Sequence, residues 1–162
     1  MTGIAWHWRW PTLHSELLVS QSVADVLDSH RQQGVSPERG GQLFVDPANQ
    51  AGLLLALATL PHSTDHAGWS WLDLNAERCR REIESANAEG LRLVGYWHTH
   101  PQIVPDISPA DINSFSRFAA RYAEELPYPI AVIVGKSSKP EGIRVWSFRE
   151  GKHIEATRIN KL

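Results

Sequence analysis

The sequence predicts a mixed α/β (α+β) fold built on one main sheet. Two patterns carry this reading. Apolar residues recur every three or four positions in three separate stretches, and the segments between them are short and either alternate or run continuously apolar. Helical stretches lie both before and after the strand "LRLVGYWH", so helices and strands share one layered core. At 162 residues the chain is read as one domain, 1–162, long enough to bury a core without disulfides or structural metals.

The elements follow in order. "WHWRWP" places Trp6, Trp8 and Trp10 on one face and His7 and Arg9 on the other, the period of a strand, and it is read as an edge strand packed on the domain. Val23, Val26 and Leu27 give helical spacing over Ser22 to Gln33, and Gly34 stops that helix. "GGQLFVD" and "AGLLLALATL" read as strands joined by the turn around "DPANQ". Leu72, Ala76, Cys79, Ile83 and Ala86 outline a second helix, ended by Gly90. Its "RCRR" run, Arg78, Arg80 and Arg81, reads as a wet helix face. Ile112, Phe115, Phe118, Ala119 and Tyr122 are the inner face of a third helix. "PIAVIVG" has the continuous apolar character of a central strand buried on both faces. "IRVWSF" and "KHIEATRI" finish the chain as strands. Trp69, Trp71 and Trp146 are read as core or half-buried strand residues.

Composition narrows the function classes. The formal net charge is −2 and the pI near 6.4, without the basic excess of a nucleic-acid binder. Cys79 is the only cysteine, which forbids an internal disulfide and suits a reducing, cytoplasmic setting. The opening "MTGIAWHWRWPTL" lacks the basic and apolar regions of a secretion signal, and no run reaches the roughly 18 apolar residues of a membrane span.

The chemistry concentrates in "YWHTHPQIVPDISPAD". His98 and His100 end a strand one residue apart, so both imidazoles point to one face and Thr99 to the other. Two converging imidazoles are what a zinc ion needs from its first two ligands. Ser108-Pro109-Ala110-Asp111 reads independently as a helix start, with serine as N-cap, proline at the first position and an acid closing a capping box. The first turn of a helix is also a rigid place from which to aim a carboxylate, so Asp111 can cap and ligate together.

The joint pattern His98-Thr99-His100-Pro101, six residues, Ser108, two residues, Asp111 resembles the signature of the JAB1/MPN/Mov34 metalloenzyme (JAMM) family. Glu38-Arg39-Gly40-Gly41 matches that family's upstream Glu-x-x-Gly pattern entering a strand. The resemblance implies a single JAMM/MPN-like domain with one curved mixed sheet flanked by about three helices. It implies one Zn²⁺ per chain held by His98, His100 and Asp111, with Glu38 as the catalytic acid–base and Ser108 stabilising an oxyanion. "ERGG" and "GYWHTHP" look most like bacterial stand-alone JAB proteins of antiphage operons that encode ubiquitin-like conjugation enzymes, as in type II CBASS and Bil systems; Ile107 departs from relatives that often carry proline there. The implied activity is an isopeptidase that releases a ubiquitin-like protein, or a protein tagged through its C-terminus, with conjugation enzymes as possible partners. Within the same family the alternatives are a peptidase trimming a sulfur-carrier protein and a metal-free scaffold.

Three further residue groups are read as bystanders. Asp106 belongs to a flexible loop, "QIVPDI", whose apolar residues face substrate. Cys79 lies on the apolar face of its helix as a structural thiol. His62, Asp65 and His66 sit in a loop near the cleft.

Overall fold

A computed structural model describes residues 3–124 and 129–160. In chain order it contains β1 (Ile4–Trp10), β2 (Ser15–Ser20), α1 (Gln21–Ser29), β3 (Gly40–Asp46), β4 (Leu54–Ala58), β5 (His66–Gly68), β6 (Trp71–Asp73) and α2 (Ala76–Ala88). These are followed by β7 (Arg92–Thr99), α3 (Pro109–Arg121), β8 (Ile130–Val134), β9 (Ile143–Arg149), β10 (Lys152–Glu155) and β11 (Thr157–Ile159). The mixed α+β fold with three helices is the expected one.

Nine strands form one sheet in the order β10-β9-β8-β7-β3-β4-β2-β1-β11, and β5 and β6 form a separate hairpin. Pairing is antiparallel except for β2 with β4 and β7 with β8. The two edge strands, β10 and β11, are consecutive in the chain and joined only by Ala156. In a flat sheet, eight spacings of about 4.8 Å would hold the edges about 38 Å apart. One residue spans at most about 3.5 Å. The sheet must therefore curl until its edges meet at Ala156, and the Trp10 indole N–H donating to the Ile154 carbonyl at 2.9 Å fastens the seam.

The curl separates two cores. Trp6, Trp8, Trp10, Leu17, Val19, Leu43, Val45, Leu55, Trp97, Val132, Val134 and Val145 pack with Val23, Ala24 and Leu27 of α1. On the opposite face Ala131, Ile133, Trp146 and Phe148 pack with Phe115 and Ala119 of α3. β8 thus sends alternate residues into each core and is buried on both faces, as its continuous apolar run predicts. No helix among the described residues is long and apolar enough to cross a membrane.

Several expectations fail for physical reasons. The Trp6, Trp8 and Trp10 strand is internal, flanked by β2 and β11, and its indoles are core. Period-two patterning reports burial on one face but not rank in the sheet. α1 leaves helical geometry after Ser29, before Gln33. α2 begins at Ala76, because the Asn75 side chain accepts the Arg78 N–H as an N-cap; Trp71 and Leu72 belong to the β5–β6 hairpin instead. Trp69 and Trp71 are 55% and 54% exposed rather than core or half-buried, although Trp71 does begin a strand. "KHIEATRI" is two strands, one at each edge.

The burial contrast yields a measurement. Trp8→Ala should cost about 3–5 kcal/mol in urea denaturation, as a buried aromatic truncation does. Trp69→Ala should stay within about 0.5 kcal/mol, as exposed positions do.

Candidate metal centre

β3 and β7 pair antiparallel with Gly40 opposite His98 and Gly41 opposite Trp97. This register brings residue 38, two places ahead of β3, to the end of β7. Both glycines are required by contact. A Cβ on Gly40 would lie 2.3 Å from the Trp97 carbonyl oxygen, and one on Gly41 would lie 2.2 Å from that of Thr59. Along β7 the side chains alternate as expected. Tyr96 and His98 face α3, against Phe115, while Trp97 and Thr99 face the other way. The chain leaves β7 through the 101–106 loop and enters α3, whose first turn carries Asp111.

The three groups meet. His98 Nε2 lies 3.0 Å from His100 Nε2. Asp111 Oδ1 lies 3.2 Å from His98 Nε2 and its Oδ2 lies 3.2 Å from His100 Nε2. Asp111 is oriented by the capping box: its Oδ2 accepts the Ser108 N–H, and Ser108 Oγ accepts the Asp111 N–H, both at 3.0 Å. One residue type therefore serves both the helix start and the cluster. Gln102 Oε1 accepts from His100 Nδ1 at 3.3 Å, which favours the tautomer with its Nε2 lone pair facing the cluster.

Glu38 is the fourth member. It is only 4% exposed, and its carboxylate lies with His98 and His100 in a group whose ligand atoms are all within 4.8 Å. Two carboxylates thus flank the histidine pair, and their ionisation differs. Burial pushes Glu38 up to about 7, with Asp111 adding to the rise and His100 opposing it. Burial also acts to raise Asp111, but hydrogen bonds from His100 and His98 outweigh it and hold the carboxyl far below the usual range. Burial acts to lower His100, but the hydrogen bond to Asp111 outweighs it and raises the imidazole. The two carboxylates thus favour positive charge at His100.

A divalent ion fits the same space. Tetrahedral bonds of about 2.0–2.1 Å separate ligand atoms by about 3.3 Å. The spacings of 3.0 to 3.2 Å among His98, His100 and Asp111 are within a small relaxation of that value. Glu38, whose carboxylate lies in one group of possible ligand atoms with His98 and His100, is near enough to compete as third ligand.

The remaining candidates fall away from the site. Asp106 is exposed and pairs with Arg144 at 3.7 Å, not with the histidines. Its loop is tied down, because Gln102 and Ile103 carbonyls accept from Lys136 and Ser137 N–H groups and Arg144 donates to the Pro105 carbonyl. Ile103 and Val104 stand exposed on it. Burial pushes the Cys79 thiol up to about 11 against the pull of Arg78, so it is a poor nucleophile.

Two functional-looking residues escaped the sequence reading. Arg78, expected in water, is 5% exposed. Its guanidinium donates to both Asp65 oxygens, to Glu82, to Thr59 Oγ1 and to the Gly40 carbonyl, which pins the start of β3 to α2 and to the 62–65 loop. Asp65 is accordingly an anchor and not a metal ligand. Gln32 is buried beside Thr99. Neither residue has a motif; only three-dimensional pairing identifies them.

A family model described as prokaryotic homologues of the JAB domain matches residues 20–149. A curated relative from Pseudomonas aeruginosa (strain BWHPSA011 / Pa011), named CD-NTase/cGAS isopeptidase, is 26% identical over 122 residues, covering 74% of this chain and 77% of the relative. The solution structure of a Desulfitobacterium hafniense protein superposes with a TM-score of 0.59 at 13% identity, covering 85% of this chain and 87% of the other, a likeness of fold alone.

The raised Glu38 carboxyl has a stability consequence in chelator-treated protein. Its folded-state pKa of about 7 exceeds the unfolded value of 4.5, so ionisation opposes folding as pH rises through that window. Glu38→Gln removes the penalty. The variant should match the parent below pH 4.5 and exceed it by about 1–3 kcal/mol at pH 8 in urea titrations. Equal stabilities at both pH values would contradict the raised pKa.

Proposed function

The chain belongs to the prokaryotic homologues of the JAB domain, and from that premise we propose that it is a zinc-dependent isopeptidase. It hydrolyses the bond after the C-terminus of a ubiquitin-like modifier, or of a protein conjugated through its C-terminus. The observation that carries this reading is the convergence of His98 Nε2, His100 Nε2 and the Asp111 carboxylate at 3.0 to 3.2 Å, with Glu38 buried beside them. The family match and the name of the Pseudomonas relative support the reaction class. The relative's name, together with the resemblance of "ERGG" and "GYWHTHP" to JAB proteins of CBASS operons, favours an antiphage setting in which the conjugated protein would be a cyclic-oligonucleotide synthase. A filled ligand set argues against the metal-free scaffold.

His98, His100 and Asp111 would hold the zinc. Bound there, the ion supplies Lewis acidity and brings the pKa of a water ligand down towards about 7. Glu38 then does the proton work. Its carboxylate takes a proton as the water oxygen adds to the scissile carbonyl carbon. It returns that proton to the lysine nitrogen as the C–N bond breaks, so one group serves as base and then as acid. Its position near neutrality in the metal-free fold suits both roles. Ser108 Oγ spends a lone pair on the Asp111 N–H, which leaves its own O–H free to donate to the oxyanion.

The purified chain should carry about one zinc. Alanine at His98, His100 or Asp111 should remove the metal, while Glu38→Gln should keep it and lower turnover by at least about 10²-fold. The substrate is a modifier fused at its C-terminus to a reporter. Full metal content in all three alanine variants would end the ligand assignment.

Ser108→Ala separates capping from catalysis. A lost oxyanion contact should reduce kcat by about 10²–10³. A lost cap alone should cost about 1 kcal/mol of stability and leave kcat unchanged.

A further inference from the structure

Glu38 lies outside regular structure, in the segment between α1 and β3. A carboxylate used for proton transfer must nonetheless be held to within a fraction of an ångström. The segment is held by an amide that belongs to no motif. Gln32 is 1% exposed, and its side chain bonds to three separate parts of the chain. Its Nε2 donates to the Ser36 carbonyl at 2.9 Å and to the Trp69 carbonyl at 3.0 Å, while its Oε1 accepts from Thr99 Oγ1 at 3.1 Å.

These bonds surround Glu38. Ser36, two residues before it, is fixed by Gln32 directly. The Glu38 N–H donates to the Gly68 carbonyl at 2.8 Å, next to the Trp69 carbonyl that Gln32 holds. The Arg39 N–H donates to Thr99 Oγ1 at 3.0 Å, and the Thr99 N–H donates to the Arg39 carbonyl at 2.9 Å. Thr99 stands between the two histidines. The clamp therefore references the Glu38 backbone to the end of β7, where Thr99 separates His98 from His100. Only a primary amide offers two donors and an acceptor in this arrangement.

We infer that Gln32 is a positioning residue that fixes the Glu38 carboxylate beside the histidine pair, acting through Ser36, Thr99 and the β5–β6 hairpin. The inference rests on the reading of Glu38 as the proton carrier. It gives a purpose to a polar side chain buried in the irregular segment between α1 and β3.

The test compares Gln32→Met, of similar volume, with Gln32→Glu, of the same shape but without donors when ionised. Hydrogen–deuterium exchange is measured on the zinc-loaded proteins, together with zinc content, kcat and KM on the reporter. Both variants should bind as much zinc as the parent. Exchange at 36–40 and 66–70 should accelerate at least about tenfold, with α3 and β8 unchanged. Turnover should fall at least about tenfold while KM moves less than about threefold. A merely structural role would speed exchange across the fold and leave kcat of the folded protein intact. Should burying a charge unfold Gln32→Glu, Gln32→Met carries the comparison alone. Unaltered local exchange in Gln32→Met overturns the clamp. Accelerated exchange with parental kcat overturns the positioning role. If the parent cleaves no reporter, the peptidase reading fails, and with it the role for Glu38 on which this inference depends.

Discussion

The antiparallel pairing of β3 with β7 is the constraint on which the site depends. It sets Gly40 against His98, and contact this close is open only to glycine. A slip of one residue would exchange the faces of β7. Trp97 would then enter the site, and the two imidazoles would enter an apolar core. The parallel pairing of β7 with β8 supplies the other half. A parallel pair needs a crossover, and α3 is that crossover, so its N-terminus must start near the carboxyl end of β7. Histidines at a strand end and an aspartate in the first turn of the following helix are thereby forced together.

Four ionisable groups so close and so buried would be costly without a cation. The shifts show how the metal-free fold copes: Asp111 stays ionised, His100 gains affinity for a proton, and Glu38 loses its charge more readily. The cluster offers the nitrogen and oxygen donors that a divalent cation would take as ligands. Gln32 and Arg78 hold the Glu38 segment from two sides, through Thr99 and through the Gly40 carbonyl respectively.

Much of this was legible in the sequence because it depends on local periodicity. The His-x-His spacing, the Ser-x-x-Asp cap and the two-faced burial of "PIAVIVG" all appear where expected. What was not legible depends on pairing across the chain. β1 reads as an edge until β11 returns to cover it. Arg78 reads as a wet residue until Asp65 and Glu82 neutralise it in a buried pocket. Trp69 and Trp71 read as core or half-buried strand residues because tryptophan usually is, and Trp71 does begin a strand, yet both are more than half exposed on a hairpin too short for its alternation to register. Gln32 carries no sequence signal, since a glutamine near a helix end is ordinary until its three partners are known.

The central claim is the division of labour between two carboxylates, Asp111 as ligand and Glu38 as proton carrier. A crystal structure of the zinc-loaded protein with anomalous scattering at the zinc edge tests it most directly. The account predicts one zinc peak with His98 Nε2, His100 Nε2 and one Asp111 oxygen at about 2.0–2.2 Å. The Glu38 carboxylate should lie outside bonding distance. A peak bonded to Glu38 in place of Asp111, or a zinc bound away from the histidine pair, would contradict it.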